Sequence, residues 1–382
     1  MSERTGDFIT QPNGFKAFIP KPLPPKPKLN LDSELILLLS NANRNLARLD
    51  GITTVLPNPD LFIAMYVKKE ALLSSQIEGT QVSLEGVLEF EEGLFPREEV
   101  NEVREVVNYV KAMNYGLERL NSLPLSLRLI KEIHAVLVEG ARGKNKQPGE
   151  FRTSQNWIGT GSSINDAVYI PPPPNTVIEH MGELEKYIYN ANGLDPLIKI
   201  ALIHAQFETI HPFLDGNGRV GRLLITFFLV WKKIISKPLL YLSFYLKKNR
   251  QKYYDLLMDV RKNGSWEIWV KFFLEGVAET SWEAANTAKE ILMLRETCLH
   301  KIYENEINSI HAIRLIDWLF ENPLIKSKDI ASVLKVSKDT AINLISRLES
   351  IGILKEITGK KRFKAYLFQE YVNLIARGTE LG

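Results

Sequence analysis

Two strongly apolar helical segments, predicted at residues 197–210 and 218–234, are separated by a short polar loop, and this feature constrains the fold most. A helix that is apolar on most of its faces must be buried, so both segments belong to one core. Asp195 and Pro196 supply an N-terminal cap and a first-turn proline for the first helix. We therefore expect a buried pair of helices, with the functional site in the polar loop that joins them.

Most of the remaining chain has the apolar periodicity of helices. A β-hairpin flap is predicted at residues 149–169, where turn glycines separate apolar segments and four prolines follow. The proline-rich segment at residues 19–27 predicts an extended, solvated N-terminal arm. The further helices are predicted at 33–49, 59–76, 99–120, 125–139, 176–191, 250–262 and 265–299, with a break near Glu275 as an alternative in the last. The fold class is therefore mainly α.

Length and composition limit the possible protein classes. A chain of 382 residues corresponds to two or three domains at about 150 residues each. The net charge of +3 argues against a polyanion binder over the whole length. The single cysteine, Cys298, excludes an internal disulfide and a cysteine-based zinc cluster, and it fits a cytoplasmic location. No apolar run approaches the roughly 20 residues of a membrane span, so no membrane partner is expected.

The loop after the first buried helix has the composition of a phosphate-binding site. Gly216 and Gly218 leave backbone N–H groups accessible at the start of the second helix, where the helix dipole is positive. Arg219 and Arg222 lie three positions apart, so both project from one side of the first helical turn. This combination predicts that two phosphate groups of one ligand can be held here.

Two further side chains of the loop suit catalysis on a nucleotide phosphate. Asp215 offers a hard oxygen ligand for Mg²⁺, and His211 can act as a base near neutral pH. Each residue alone is compatible with a purely structural loop. Together, in a loop between two buried helices, they favour a catalytic site.

The complete segment, His-Pro-Phe-Leu-Asp-Gly-Asn-Gly-Arg-Val-Gly-Arg at residues 211–222, resembles the signature of the Fic family of protein adenylyltransferases. Every fixed position of that signature matches, and the resemblance covers residues 32–299. Members of the family transfer AMP from ATP to a hydroxyl side chain of a protein and release pyrophosphate. A kinase-like branch lacks the second glycine and the final arginine; both are retained here, which favours AMP transfer.

The resemblance implies a role for each residue of the loop. His211 would deprotonate the target Ser, Thr or Tyr hydroxyl, Phe213 would anchor the loop in the core, and Asp215 would hold Mg²⁺. Arg222 would contact the γ-phosphate of ATP. The full set of implied nucleotide-binding residues is Gly216, Asn217, Gly218, Arg219, Val220, Gly221, Arg222 and, on a later helix, Tyr254.

An inhibitory motif is implied upstream. Ser74 and Glu78 lie four residues apart at the end of a predicted helix, and Gly79 follows them. The segment resembles the family motif Ser/Thr-x-x-x-Glu-Gly/Asn, whose glutamate would pair with Arg222 in the place of the γ-phosphate. A plain helix end is the structural alternative.

Two other segments resemble family elements. The flap at 149–169 is similar to the hairpin on which an extended segment of a target protein docks. Tyr254 lies where a tyrosine lines the adenosine pocket in relatives. Arg261 stands where some relatives have Asn, so recognition of the base stays open.

The last part of the chain resembles a winged helix. Helices are predicted at 309–321 and after the capping residues Ser327 and Ser337, followed by a strand–turn–strand at 353–367. The wing carries Lys360, Lys361, Arg362 and Lys364. Because the net charge of this module is small, protein docking or dimer contact is favoured over DNA binding.

These observations predict four regions: a proline-rich arm at 1–30, a helical region with the inhibitory helix at 31–123, a Fic-like core at 124–299 and a winged helix at 300–382. The predicted activity is Mg²⁺-dependent AMP transfer from ATP to a target protein or to the chain itself, inhibited by Glu78. Alternatives are AMP removal by the same site, with Glu78 positioning water, and a DNA-binding regulator whose core senses nucleotide. A homodimer is also expected.

Overall fold

A computed structural model of the chain describes residues 3–53, 59–95, 98–140, 147–159, 163–190, 193–307 and 309–381. Fifteen helices and two small antiparallel sheets make up the regular structure of these residues. The predicted mainly α fold is thereby confirmed. No helix within the described ranges has the length and apolar character needed to cross a membrane.

The helices and strands follow one another along the chain. The N-terminal and core helices are α1 (Ser33–Thr53), α2 (Pro59–Ile77), α3 (Leu84–Glu91), α4 (Val100–Arg119), α5 (Leu127–Leu137), α6 (Val177–Tyr189), α7 (Pro196–Ile210), α8 (Asn217–Trp231), α9 (Ser243–Lys248), α10 (Arg250–Asn263) and α11 (Trp266–Glu304). The C-terminal helices are α12 (Ile310–Glu321), α13 (Ser327–Leu334), α14 (Lys338–Ser350) and α15 (Gln369–Ala376). The strands are β1 (Asp7–Thr10), β2 (Lys16–Ile19), β3 (Leu324–Lys326), β4 (Lys355–Glu356) and β5 (Ala365–Leu367).

The apolar pair α7 and α8 lies at the centre of the core, as its sequence requires. Every residue of α7 from Leu197 to Ile210 is buried. Asp195 caps this helix, because its carboxylate accepts a hydrogen bond of 2.8 Å from the Leu197 amide. Helix α8 ends at Trp231, three residues before its predicted end. The pair therefore presents residues 211–216 as a connection held rigidly at both ends.

The N-terminal arm is more ordered than its composition predicts. Strands β1 and β2 form an antiparallel hairpin, and Phe18 in β2 is buried. The Phe18 amide donates to the Ile170 carbonyl at 2.9 Å, so the hairpin packs beside the end of the flap. The proline-rich part is not uniformly extended, since it bends at residues 23–24 and 26–27, and it lies against the core: Pro25 is buried, and the Lys21 carbonyl accepts a hydrogen bond from Gln206. The predicted solvation holds only in part, because four of the nine residues at 19–27 are exposed and two are buried.

Helix α11 is continuous across Glu275 over its 39 residues, so the alternative of a break is wrong. At 1.5 Å per residue it is roughly 58 Å long, and it packs along α1. Gly276 permits a close approach of α9 to α11, since a Cβ would lie 2.6 Å from the Tyr245 ring. The helix therefore runs from the core as far as Glu304, six residues before α12 of the C-terminal module begins.

The flap has less strand structure than expected. One antiparallel bridge joins Ile158 and Tyr169, and a short 3-10 turn, Ile164–Asp166, lies between them. Residues 160–162 of the predicted flap lie outside the described residues. The flap is attached to α7 by the Tyr169 hydroxyl, which donates to the Thr209 carbonyl at 2.7 Å. This contact holds the flap next to the loop at residues 211–222.

The C-terminal module is a winged helix, as predicted. Helices α12, α13 and α14 precede an antiparallel sheet in the order β3–β5–β4. Ser337 caps α14 by accepting from the Thr340 amide, which confirms the predicted start of that helix. Six elements were not predicted from the sequence: the helices α3, α9 and α15 and the strands β1, β2 and β3.

Candidate active site

The loop between α7 and α8 is fixed by a reciprocal pair of hydrogen bonds. The Phe213 amide donates to Asn217 Oδ1 at 2.8 Å, and Asn217 Nδ2 donates to the Phe213 carbonyl at 2.8 Å. Phe213 is fully buried, and its ring stacks on that of His134 with centroids 3.8 Å apart. Phe213 thus lies where an anchoring side chain must lie, and Asn217 shapes the turn.

His134 of α5 also determines where Asp215 lies. Its Nε2 is 3.1 Å from the Asp215 carbonyl, and its Nδ1 accepts a hydrogen bond from the Gly149 amide. Since Nδ1 is the acceptor, Nε2 carries the proton and donates. Burial lowers the pKa of His134 to about 4, so this tautomer persists at neutral pH. The Asp215 side chain remains 41% exposed, available to a ligand.

The backbone of His211 has a left-handed conformation, with φ of 51°, where α7 ends. Arg152 holds this conformation: its Nε donates to the His211 carbonyl at 2.9 Å, and its Nη2 lies 3.4 Å from the Ile210 carbonyl. The Arg152 side chain is almost fully buried and also donates to the Pro172 carbonyl. A cation at a helix C-terminus is electrostatically favourable. Arg152 therefore joins the flap to the end of α7 and orients His211.

The electrostatic surroundings keep the His211 imidazole neutral. Burial is the largest influence and lowers its pKa; the positive charges of Arg261 and Arg152 lower it further, to about 3. Glu78 and the Glu208 backbone act in the opposite direction and are outweighed. A neutral imidazole at physiological pH can accept a proton, as a general base must.

Arg222 meets the end of α2 in a dense set of polar contacts. Its Nη2 donates to Glu78 Oε1 at 2.7 Å and to the Ser74 carbonyl at 3.0 Å, and its Nε donates to Ser74 Oγ at 2.7 Å. The Arg222 side chain is 2% exposed and that of Glu78 is 39% exposed. Burial raises the pKa of Glu78, but the attraction of Arg222 outweighs it and leaves that pKa below its ordinary value. The pair is therefore ionised at neutral pH.

Gly218 allows Glu78 to approach the start of α8. A Cβ at this position would lie 2.3 Å from Glu78 Oε1 and 3.0 Å from Arg222 Nη1. Any larger residue would therefore push the glutamate away. The glycine leaves room for one carboxylate in front of Arg222, and the same space could hold a phosphate.

A buried polar cluster lies beneath this contact. Glu70 and Ser74 lie four residues apart on one face of α2, and Glu78, in the turn directly after the helix, continues the same spacing. Glu70 accepts hydrogen bonds from the Ser243 amide at 3.1 Å and the Tyr109 hydroxyl at 3.2 Å. Burial raises the pKa of Glu70 to about 7, although these bonds and the charge of Arg222 oppose the rise. The cluster packs this face of α2 against the core.

Arg219, in the first turn of α8, has carboxylate partners other than Glu78. Its Nη1 donates to Glu105 Oε2 of α4 at 3.4 Å, and its Nη2 is 3.9 Å from Asp215 Oδ1. The two arginines of the loop thus have separate carboxylate partners. Separate partners fit two arginines that contact different phosphates of one ligand.

The predicted adenosine side of the site is built on α10. Tyr254 is 37% exposed, and the Arg250 guanidinium lies 5.8 Å from its ring centroid. Its neighbour Tyr253 is buried, and the Tyr253 hydroxyl lies 2.9 Å from His204 Nε2. His204 Nδ1 is 2.9 Å from the Gly221 carbonyl, so both ring nitrogens of this buried histidine have partners within the core.

Arg261, which stands where some relatives have Asn, is buried and points into the protein. It donates to the Glu208 carbonyl at 2.9 Å and to Thr209 Oγ1 at 3.2 Å. Its guanidinium stacks on the Tyr169 ring, 4.0 Å from the centroid. Arg261 therefore connects α10, α7 and the flap.

Sequence reasoning missed several residues that support the site, namely Glu70, Glu105, His134, Arg152 and Arg261 in its supporting role. Each is a single polar residue on a distant segment. Arg152 had the strongest available signal, since it lies within the predicted flap between Phe151 and Trp157. Nothing in its immediate neighbours indicates burial against the end of α7.

Comparison with known proteins agrees with this geometry. The description "Fic/DOC family N-terminal" matches residues 36–118, "Fic/DOC family" matches residues 124–229, and "HTH DNA binding domain" matches residues 313–367. A probable protein adenylyltransferase of Aquifex aeolicus is 28% identical over 209 residues, which are 53% of this chain and 57% of that protein. The protein adenylyltransferase Fic of Drosophila grimshawi is 28% identical over 211 residues, 52% of this chain and 39% of that protein.

The chain thus spans less than two thirds of the length of either relative. A crystal structure of a Fic family protein from Desulfovibrio desulfuricans G20 shares the fold, with a TM-score of 0.58 at 20% identity. That likeness covers 89% of this chain and 97% of the other. With the two family descriptions matched in order and every fixed position of the signature present at residues 211–222, the chain belongs to the Fic/DOC family.

Proposed function

We propose that this protein transfers AMP from ATP to a Ser, Thr or Tyr hydroxyl of a target protein and of itself, releasing pyrophosphate. One observation carries the proposal: a buried arginine, Arg222, lies at the start of α8 beside a glycine that leaves space for an anionic group. The neutral His211 and the separately held Arg219 lie in the same segment of the chain. A triphosphate and a base are the two requirements for nucleotidyl transfer.

The proposed reaction is one displacement at the α-phosphorus. His211 takes the proton of the target hydroxyl as the hydroxyl oxygen forms a bond to the α-phosphorus. The bond between the α-phosphorus and the bridging oxygen breaks, and its electron pair leaves with pyrophosphate. Arg222 and Arg219 hold the outer phosphates, while the backbone of Gly216 to Gly218 and Asn217 positions the α-phosphate. Tyr254 lines the adenosine side, and the flap presents the target segment.

Mg²⁺ fits the donor set at Asp215. The side chain of this residue is 41% exposed and one of its oxygens accepts the Gly216 amide, so the carboxylate is fixed and accessible. Among the described residues no cluster of three or more His, Cys, Asp or Glu could hold a metal by itself. A single carboxylate with substrate phosphates and water is the usual magnesium environment. When bound, the ion would neutralise phosphate charge.

In the proposed resting state, Glu78 inhibits AMP transfer. Its carboxylate occupies the position in front of Arg222 that the γ-phosphate would take. ATP then has to displace Glu78 or bind in another pose. A charge-assisted pair is worth a few kcal/mol at most, so an opposing interaction can displace it.

Differently labelled ATP tests the proposed reaction. The Glu78→Gly protein, incubated with Mg²⁺, should retain label from the α-phosphate and none from the γ-phosphate. Label from the γ-phosphate would indicate a kinase. If neither label is retained, protein that already carries AMP should be tested for AMP removal, the alternative that uses the same site. His211→Ala in the Glu78→Gly background is the control.

A second candidate function, DNA binding, is favoured by the wing. The residues Lys360, Lys361, Arg362 and Lys364 are all exposed, and Phe363 between them is 88% exposed. The match to an HTH DNA binding domain covers the same module. We propose DNA contact as the less favoured role of this domain, beside protein docking or homodimer contact.

For the chain as a whole, we propose four regions, with the boundaries 1–30, 31–123, 124–299 and 300–382.

If the wing binds duplex DNA, binding will weaken steeply with salt. Replacing Lys361 and Arg362 by Ala should reduce the slope of log affinity against log salt by about 1.8, since each lost phosphate contact removes about 0.9. A gel-shift titration at several salt concentrations measures this slope. Lys16→Ala with Lys28→Ala, two exposed lysines of the N-terminal arm, is the matched control. An unchanged slope in the wing variant would exclude the wing as the contact.

A further inference from the structure

The last residues that the structure describes contact the end of α2, directly before Glu78. Helix α15 ends at Ala376, and residues 378–380, here called the C-terminal strap, run along the end of α2. Thr379 in the middle of the strap is 5% exposed, and its side chain donates to the Ala376 carbonyl at 2.7 Å. The strap is therefore packed against the body of the protein.

One side chain of α2 connects directly to the strap. Gln76, two residues before Glu78, donates from Nε2 to the Thr379 carbonyl at 2.9 Å and to the Val82 carbonyl at 3.1 Å. Lys247 of α9 donates to Gln76 Oε1 at 2.8 Å and to the Glu380 carbonyl at 2.8 Å. The Gln76 amide is 93% buried within this set of contacts, because its residue is 7% exposed. It is held by the core on one side and by the strap on the other.

The winged helix also contacts α2 and α3 elsewhere. Phe62 near the start of α2 stacks on Phe320 of α12, with ring centroids 6.3 Å apart. Gln369 at the start of α15 donates to Glu85 of α3 at 2.8 Å. Helix α2, which ends directly before Glu78, thus contacts the C-terminal module near its start through Phe62 and near its end through Gln76.

We propose that the C-terminal strap holds the last turn of α2 in the position where Glu78 pairs with Arg222, so that the winged helix controls inhibition. The inference rests on the proposed function and assigns its regulation. Immediately after Glu78 the chain turns at Gly79, where φ is 100°. The last helical turn therefore depends on side-chain contacts such as those of Gln76. Without the strap, the turn opens more often and Glu78 leaves Arg222.

Gly378 offers a way to displace the strap without altering α2 or the loop. Its φ is +80°, and a Cβ there would lie 2.2 Å from the Phe244 ring. Gly378→Val introduces both a disfavoured backbone conformation and a clash. Gly352→Val is the matched control, since Gly352 also has positive φ, +73°, lies in the same domain and has nothing within 4 Å of a Cβ.

Two measurements on the full chain test the inference. Hydrogen–deuterium exchange of the amides at residues 74–78 should become about tenfold faster in Gly378→Val, the equivalent of losing roughly one net hydrogen bond. AMP incorporation with Mg²⁺ and ATP, followed by intact mass, should rise several-fold. Gly352→Val should change neither quantity.

The outcomes separate this inference from the proposed function when Glu78→Gly is run in parallel. Unchanged exchange at residues 74–78 in Gly378→Val overturns the inference. Faster exchange with no AMP gain, while Glu78→Gly gains AMP, also overturns it, because the strap then holds the helix without controlling the site. If Glu78→Gly gains no AMP and exchange still rises, the strap contact stands and the AMP-transfer proposal fails.

Discussion

The Glu78→Gly protein should incorporate AMP into itself roughly ten to a hundred times faster than the unsubstituted protein. The Glu78 carboxylate lies 2.7 Å from Arg222 Nη2, and a hydrogen bond between charged groups contributes about 1.5–3 kcal/mol. Because the Glu78 side chain is 39% exposed, solvent screening reduces this slightly, to about 1.4–2.7 kcal/mol, which corresponds to a ten- to hundredfold change in rate. Initial rates of label incorporation from α-labelled ATP, with Mg²⁺ present, measure the effect.

Two neighbouring variants show which property of Glu78 matters. Glu78→Ala removes the carboxylate without the extra backbone freedom of glycine, so it should give most of the increase. Ser74→Ala removes the hydrogen bond from Arg222 Nε but keeps the ion pair, and it should give an increase of a few-fold at most. Equal rates for Glu78→Ala and the unsubstituted protein would contradict inhibition by this contact.

Much of the helical framework could be predicted from sequence because the helices are long and strongly periodic. The predicted helix at 59–76 ends one residue before the observed Ile77, and the buried pair lies where its apolar character requires. The unpredicted helices α3, α9 and α15 have 8, 6 and 8 residues, too few for a clear period. All three pack against α2; α9 and α15 also contact α11, and α3 also contacts α4.

The N-terminal arm shows where composition misleads. Lysine and proline dominate residues 19–28, so the segment has the composition of a solvated tail. The four-residue strands on its N-terminal side are too short to stand out. Their hairpin is held by tertiary contacts, such as the tilted pair of Phe18 and Tyr169 rings at 5.9 Å and the ion pair of Arg4 with Glu267 at 2.8 Å. Neither contact is visible in the local sequence.

In the candidate site too, some residues could be predicted from the sequence and others could not. The loop residues are contiguous, so a single segment reveals His211, Asp215, Arg219 and Arg222 together. Their supports come from other elements: Arg152 from the flap, His134 from α5 and Glu105 from α4. Such residues form no recognisable sequence motif, because each contacts a carbonyl or guanidinium group of a residue far away in the sequence. Their roles emerge only from the tertiary fold.

His211→Ala in the Glu78→Gly background should reduce AMP incorporation by about 10²- to 10⁴-fold, the usual contribution of a general base. The backbone at position 211 is left-handed, so Ala also loses some conformational compatibility; His211→Asn keeps that compatibility and should show the same loss. His300→Ala, at a histidine whose side chain is 71% exposed on α11, is the control. A loss of less than tenfold in His211→Asn would mean that another group removes the proton.

The protonation state of His211 can be measured directly, apart from catalysis. Because burial, Arg261 and Arg152 lower its pKa to about 3, the imidazole should stay neutral from pH 8 down to pH 5. A solvated histidine would become protonated near pH 6.5. Glu78 raises this pKa, so Glu78→Gly should shift the titration to still lower pH. Nitrogen-15 NMR of the imidazole, assigned with His211→Asn, measures this. Protonation between pH 6 and 7 in the unliganded protein would show that the site does not keep its base neutral.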